Sequence, residues 1–288
     1  MRILMISPAA PTRERPRAHG LIAALARAGH SLTLVFVDRA GTAFDGLTDA
    51  CERIVPVRHA RALDMAVQAE LAVAPYDLAH LDGAAAALVE APLPLPAVID
   101  AGACALLRRE RAAREGGPLQ RLAGAVRAAR ARRCQRAAVA HRVRVLVASA
   151  ADAWALRALV PAPPEVHVVP CPVDLERFAP PAALREQASV LLDLRGLERA
   201  EAVAAIDLAH AALSQVWAQR ADIRLTVLGR APLGGAGRLA GDDRVTFTGA
   251  TSDPRGHLAR ATLALAPLLP VAAPAHAPLE AMATAAPV

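Results

Sequence analysis

Short apolar runs alternate with stretches of helical spacing along this chain, and that alternation restricts the fold more than any other feature. Arg2 to Ser7 has the length and character of a strand buried on both faces. Arg17 to Ala28 then sets Leu21, Ala24, Leu25 and Ala28 at helical spacing, and Gly29 is a natural helix stop. Ser31 to Val37 is the next strand. Further strands are expected at Ile54–Val57, Leu78–Leu81, Ala97–Asp100, Val143–Ala148 and Val166–Val169, with helical stretches between most of them. Repeated strand–helix alternation implies a parallel sheet covered by helices on both faces.

The alternation pauses at Ala179-Pro180-Pro181, where two prolines block helix continuation. It then restarts: strand at Val190–Leu194, long helix at Ala200–Gln219, strand at Arg224–Leu228, strand at Val245–Thr248, short helix ending at His257–Arg260, strand at Leu263–Ala266. The expected fold class is therefore α/β, with two Rossmann-like doubly wound domains in series at 1–180 and 188–288. An open sheet of this kind usually carries six strands. The second domain places fewer before the sequence stops at Pro287-Val288, so it is expected to be incomplete. Tandem sheets of this type are expected to bind ligands at the carboxyl ends of their strands.

Composition removes several function classes. Aromatic residues are only 2% of the chain, too few to stack on successive bases, and no nucleic-acid recognition motif is present; nucleic acid is not an expected partner. All 33 basic residues are arginine. The net charge of +6 is concentrated: Leu106 to Arg144 holds twelve arginines and two glutamates, leaving the rest of the chain slightly acidic. Within that stretch Leu119, Leu122 and Val126 fall at helical spacing. Residues 106–144 read either as a basic amphipathic helix suited to an anionic membrane surface or as a solvated helix face. Cys51, Cys104, Cys134 and Cys171 form no C-x-x-C pair, which fits reduced thiols in a cytosol better than a disulfide framework or a zinc site. The histidines show no metal spacing and read as structural or surface residues, and no metal is expected. No apolar run reaches the roughly 18 residues that span a bilayer. The expected location is cytoplasmic, with peripheral contact at the inner face of the membrane as the role for 106–144.

Four phrases carry a family resemblance. The opening Met1-Arg2-Ile3-Leu4 with Pro8 and Pro11, followed by a helix ending Ala28-Gly29-His30, is the first. Val168-Val169-Pro170-Cys171-Pro172-Val173-Asp174-Leu175-Glu176-Arg177-Phe178 is similar to V-P-N-G-V-D-L-E-R-F. Leu225-Thr226-Val227-Leu228-Gly229-Arg230 resembles a strand closing on G-R, and Leu279-Glu280-Ala281-Met282-Ala283 with Pro287-Val288 resembles L-E-A-M-A-x-G-x-P-V. In order and spacing they resemble glycosyltransferase family 4, whose members are retaining enzymes of the GT-B fold.

The resemblance implies a chain that moves a sugar from a UDP- or GDP-linked donor to a glycan or lipid-linked acceptor with retention, without a cofactor beyond the nucleotide sugar itself. The donor would lie on the C-terminal domain and the acceptor on the N-terminal one. Glu280 and Asp100 are the implied catalytic residues; Glu280, Arg230, Gly229 and Arg17 are the implied donor-binding residues. A carboxylate such as Glu280 can accept two sugar hydroxyls in a fork. An arginine such as Arg230 matches phosphate oxygens in the same way. Arg17 stands at the start of the first helix, where a phosphate would meet backbone N–H groups.

The sequence departs from the pattern at several points. Gly102 and Ala103 stand where the family's D-x-H-D motif, entered at Asp100, has His and Asp. Cys171 and Pro172 replace Asn-Gly, Ala272 stands where a second glutamate is common, and Arg13-Glu14-Arg15-Pro16 replaces a glycine-rich turn. A non-catalytic binding or scaffold protein of the same shape, or a truncated gene product, is therefore the alternative reading.

Overall fold

The structure is a computed structural model; it describes residues 1–13, 15–38, 47–91, 93–102, 144–158, 165–182, 185–195, 197, 199–230, 239–249, 251, 253–267 and 276–288. The arginine-rich stretch up to residue 143, the glycines Gly234, Gly235 and Gly237, and Ala272 lie outside them. The chain divides into two units, Met1–Pro172 and Val173–Val288. The division falls ahead of Pro180-Pro181 because Phe178 is buried with Leu191 and Leu228 in the core of the second unit.

In the first unit the strands are β1 (Arg2–Ser7), β2 (Ser31–Val37), β3 (Arg53–Val57), β4 (Leu78–Asp82), β5 (Ala97–Gly102), β6 (Arg144–Val147) and β7 (Val166–Val168). All pair in parallel, in the order β3-β2-β1-β4-β5-β6-β7. The order reverses between β1 and β4, the position where doubly wound sheets take their ligands. Helices α1 (Pro16–Arg27), α2 (Ala62–Val73) and α3 (Ala150–Ala158) connect the strands, with one 3₁₀ turn at Gly83–Ala87.

Burial explains the unbroken apolar runs. β1 and β2 are covered on both faces, so odd and even positions alike must be apolar. Leu4, Ile6, Val35 and Val37 pack with Leu63 and Val67 of α2, while Ile3, Met5, Leu34 and Phe36 pack with Ile22 of α1. Helix α1 starts on Pro16, whose missing N–H and fixed φ suit the first turn. It ends in a Schellman motif: Gly29 has φ of 80° and donates to Ala26, and His30 donates to Leu25.

In the second unit β8 (Ser189–Asp193), β9 (Arg224–Leu228), β10 (Val245–Phe247) and β11 (Leu263–Leu265) form a parallel sheet in the order β10-β9-β8-β11. Here the order reverses between β8 and β11. Helix α4 (Arg199–Trp217) covers one face, setting Ala205, Ile206, Ala209 and Leu213 against Val190, Leu192 and Leu225. Helices α5 (Arg255–Arg260) and α6 (His276–Ala283) flank the other face, where Leu258 and Ala281 pack with Leu191 and Leu228. Every strand expected from the sequence, and every helix expected within the described residues, has its counterpart here, and the second sheet has the four strands expected; the helix expected within 106–144 lies outside the described residues. No helix of the described residues is long and apolar enough to cross a membrane.

Candidate functional site

In the second unit, the carboxyl end of β8 carries Asp193, and the chain turns so that Arg195 folds back over it. The Arg195 N–H donates to Asp193 Oδ1 at 2.8 Å; its Nε lies 3.1 Å from both carboxylate oxygens and its Nη2 2.6 Å from Oδ2. The same Nη2 reaches Glu280 Oε2 on α6 at 2.6 Å. The cluster is largely dry, with the side chains of Arg195 and Glu280 17% and 7% exposed. Burial opposes the arginine's charge, but the hydrogen bonds and charges of Asp193 and Glu280 together outweigh it and raise its pKa. Gly229, after β9, completes the wall with φ of 107°, a conformation side chains rarely adopt. A Cβ at that position would stand 3.5 Å from the Arg195 backbone nitrogen. Arg230 follows on the exposed surface.

The helix bearing Glu280 is itself pinned. Arg185 Nη1 donates to the carbonyls of Leu258, Ala259 and Ala261 at 2.9, 3.3 and 2.8 Å, and Nη2 donates to the carbonyl of Thr284. These carbonyls lie at the ends of α5 and α6, where helices leave acceptors unmet.

In the first unit, the carboxyl ends of β1, β4 and β5 gather a second polar cluster. Arg17 Nε lies 2.9 Å from both oxygens of Asp100, Nη2 lies 2.8 Å from Oδ1, and Nη1 donates to the Val169 carbonyl at 2.7 Å. The Arg17 stem passes over Gly102, whose hypothetical Cβ would stand 3.7 Å from Arg17 Cδ. Beneath this pair lie Ser7, His80 and Asp82. Ser7 Oγ is 2.8 Å from Asp82 Oδ2 and 2.8 Å from the Ala9 carbonyl. Burial raises the Asp82 pKa and lowers that of His80, although the charges of Asp100 and Asp82 pull His80 the other way.

Residues 196–288 match the family model for glycosyl transferases of group 1. Comparison with curated protein sequences finds no match. Among solved structures, sucrose-phosphate synthase from Thermosynechococcus elongatus superposes with a TM-score of 0.75 at 17% identity, over 100% of this chain and 80% of that one. Anabaena HepE in complex with UDP and glucose gives 0.61 at 16% identity, over 100% and 80%. The apo lipopolysaccharide outer core galactosyltransferase WaaB gives 0.57 at 13%, over 99% and 78%. The fold is GT-B. At these identities the likeness speaks for the fold, and the family model covers the segment that begins just after Arg195.

Set on the GT-B frame, the residues singled out from the sequence fall into two groups. Glu280 and Gly229 converge around Arg195, with Arg230 as the exposed neighbour of Gly229. Asp100 and Arg17 meet in the other unit as a closed ion pair. Glu280 lies inside α6, not at its start, so a favourable helix N-terminus does not account for it; the guanidinium of Arg195 does. Sequence reasoning missed Arg195 and the Ser7–His80–Asp82 group. Their signals were present: Arg195 follows an apolar run as Arg230 does, and His80 interrupts one.

Proposed function

We propose that the chain is a retaining glycosyltransferase that takes a sugar from a UDP- or GDP-linked donor and passes it to a hydroxyl of a glycan or lipid-linked acceptor. The observation that carries this reading is the Asp193–Arg195–Glu280 cluster at the reversal point of the second sheet. A guanidinium set between two carboxylates at strand ends can trade one carboxylate for a diphosphate without crossing the unit. The freed Glu280 carboxylate then accepts hydroxyls of the ribose or the sugar. Arg195 and Arg230 would stabilise the departing diphosphate as charge grows on it, and the rate would come from that stabilisation and from positioning. Solved structures of similar fold with UDP bound support the nucleotide part of this reading. In the first unit, Asp100 would face the reacting sugar only if Arg17 released it, and that closed pair favours the second reading, a binding protein without turnover.

Hydrolysis and transfer assays across UDP- and GDP-sugars separate the two. Turnover by the native chain that falls at least tenfold in Glu280→Gln is expected. Turnover that the substitution leaves unchanged overturns the assignment of Glu280, and nucleotide binding without any turnover establishes the second reading.

A further inference from the structure

The polar cluster of the first unit surrounds a space that the nucleotide-sugar reading does not use. A cavity of about 10 Å³ is lined by Ser7, His80, Asp82 and Asp100 on its polar side and by Met5 and Ile22 on its apolar side. That is about the volume a single water oxygen needs. It lies at the carboxyl ends of β1 and β4, where the sheet order reverses and ligands of such sheets bind.

His80 is the decisive residue. It is only 6% exposed, and neither ring nitrogen has a hydrogen-bond partner among the described residues. A neutral imidazole carries one N–H donor and one bare acceptor, and burying both unmet is costly. The groups around it are already matched. Asp100 is neutralised by Arg17. Ser7 has one hydroxyl hydrogen and two acceptors at 2.8 Å, Ala9 O and Asp82 Oδ2. The Ser7 hydroxyl faces both of these oxygens as donor, so its hydrogen is already used. No metal-holding group of His, Cys, Asp and Glu is present among the described residues.

We propose that this cavity binds one hydroxyl oxygen, which pairs with a ring nitrogen of His80 facing the cavity: it accepts when that nitrogen carries the hydrogen, giving its own hydrogen to a carboxylate oxygen of Asp82 or Asp100, and it donates when the nitrogen is bare. A hydroxyl is both donor and acceptor, so it can meet the facing ring nitrogen in either tautomer of a neutral imidazole. It can be supplied by solvent water or by a sugar, and the site stands whether or not the second unit binds a nucleotide sugar.

Crystals of the full chain, grown without sugar and then soaked in glucose, test this. One oxygen within about 3 Å of a His80 ring nitrogen is expected in the sugar-free crystals. Its replacement by a glucose hydroxyl identifies sugar as a source; its persistence identifies water. In solution, nitrogen-15 spectra are expected to show a neutral His80 ring with a hydrogen-bonded nitrogen. His80→Phe is expected to lose the oxygen, and His80→Gln, which keeps a donor and an acceptor, to retain it. A dry cavity, ring nitrogens bonded directly to protein groups, or an oxygen that survives in His80→Phe overturns the proposal. Should the Phe variant fail to fold, a dry cavity in the native and Gln chains is the contrary result.

Discussion

At the scale of single residues, Arg195 holds two buried carboxylates that would otherwise face each other. Arg195→Ala leaves Asp193 and Glu280 unpaired in a dry environment, and breaking such a group costs about 3–5 kcal/mol. Urea unfolding of the second unit is expected to show a loss of this size. Glu280→Gln should cost much less, because Asp193 still holds the guanidinium through both oxygens. Equal losses would mean that Glu280 and not Asp193 anchors the arginine. His80 gives a pH signature. Its folded-state pKa is pushed below the ordinary 6.5 by burial, against the raising influence of Asp100 and Asp82 and with the lowering influence of Arg17. Below 6.5 the unfolded chain takes up a proton that the folded chain resists. The stability due to this group is therefore present above 6.5 and lost as pH falls through the folded value. Buried Asp82 has the opposite sign, its pKa lying above the ordinary 3.8, so native and His80→Phe chains must be compared at each pH. The difference between their unfolding free energies should shrink as pH falls from 7 to 5; a constant difference would show that His80 keeps its ordinary pKa.

At the scale of elements, the strands were legible because a parallel sheet buried on both faces demands unbroken apolar runs, and β1 and β2 supply them. Helix ends were legible where glycine marked them, as at Gly29. The end of α6 was not, because an alanine takes the glycine's place. Ala285 has φ of 59°, donates to Met282, and is followed by Ala286 donating to Ala281, the same Schellman geometry that closes α1. An L-residue in that left-handed conformation costs about 1–2 kcal/mol. Ala285→Gly is therefore expected to raise the stability of the second unit by about 1 kcal/mol, measured as a higher urea midpoint at unchanged slope; a lower midpoint would contradict the strain. The polar clusters were illegible for another reason. Asp100 and Arg17 are separated by many residues, as are Arg195 and Glu280, and each pair is brought together only by the crossing of strand order. Periodicity reports which face of an element is buried but not which loops meet at its end.

At the scale of the whole molecule, the two units repeat one plan. In each, an arginine following the first strand, Arg17 after β1 and Arg195 after β8, turns onto carboxylates gathered at the carboxyl ends of the strands, beside the reversal of sheet order. The clusters differ in what they leave available. The first encloses a cavity of about 10 Å³ beside His80. The second sets one guanidinium between Asp193 and Glu280, where an incoming diphosphate can take the place of a carboxylate. The central claim is that a nucleoside diphosphate binds this second cluster, and the most direct measurement is the thermal midpoint of the full chain with UDP, with GDP and with neither. A ligand at a hundredfold excess over its Kd stabilises the native state by about 2.7 kcal/mol, a shift of several degrees. The account predicts such a rise with one of the two nucleotides and its loss in Arg195→Lys, which keeps the charge but not the fork. No rise with either nucleotide, or a rise undiminished in Arg195→Lys, would contradict it.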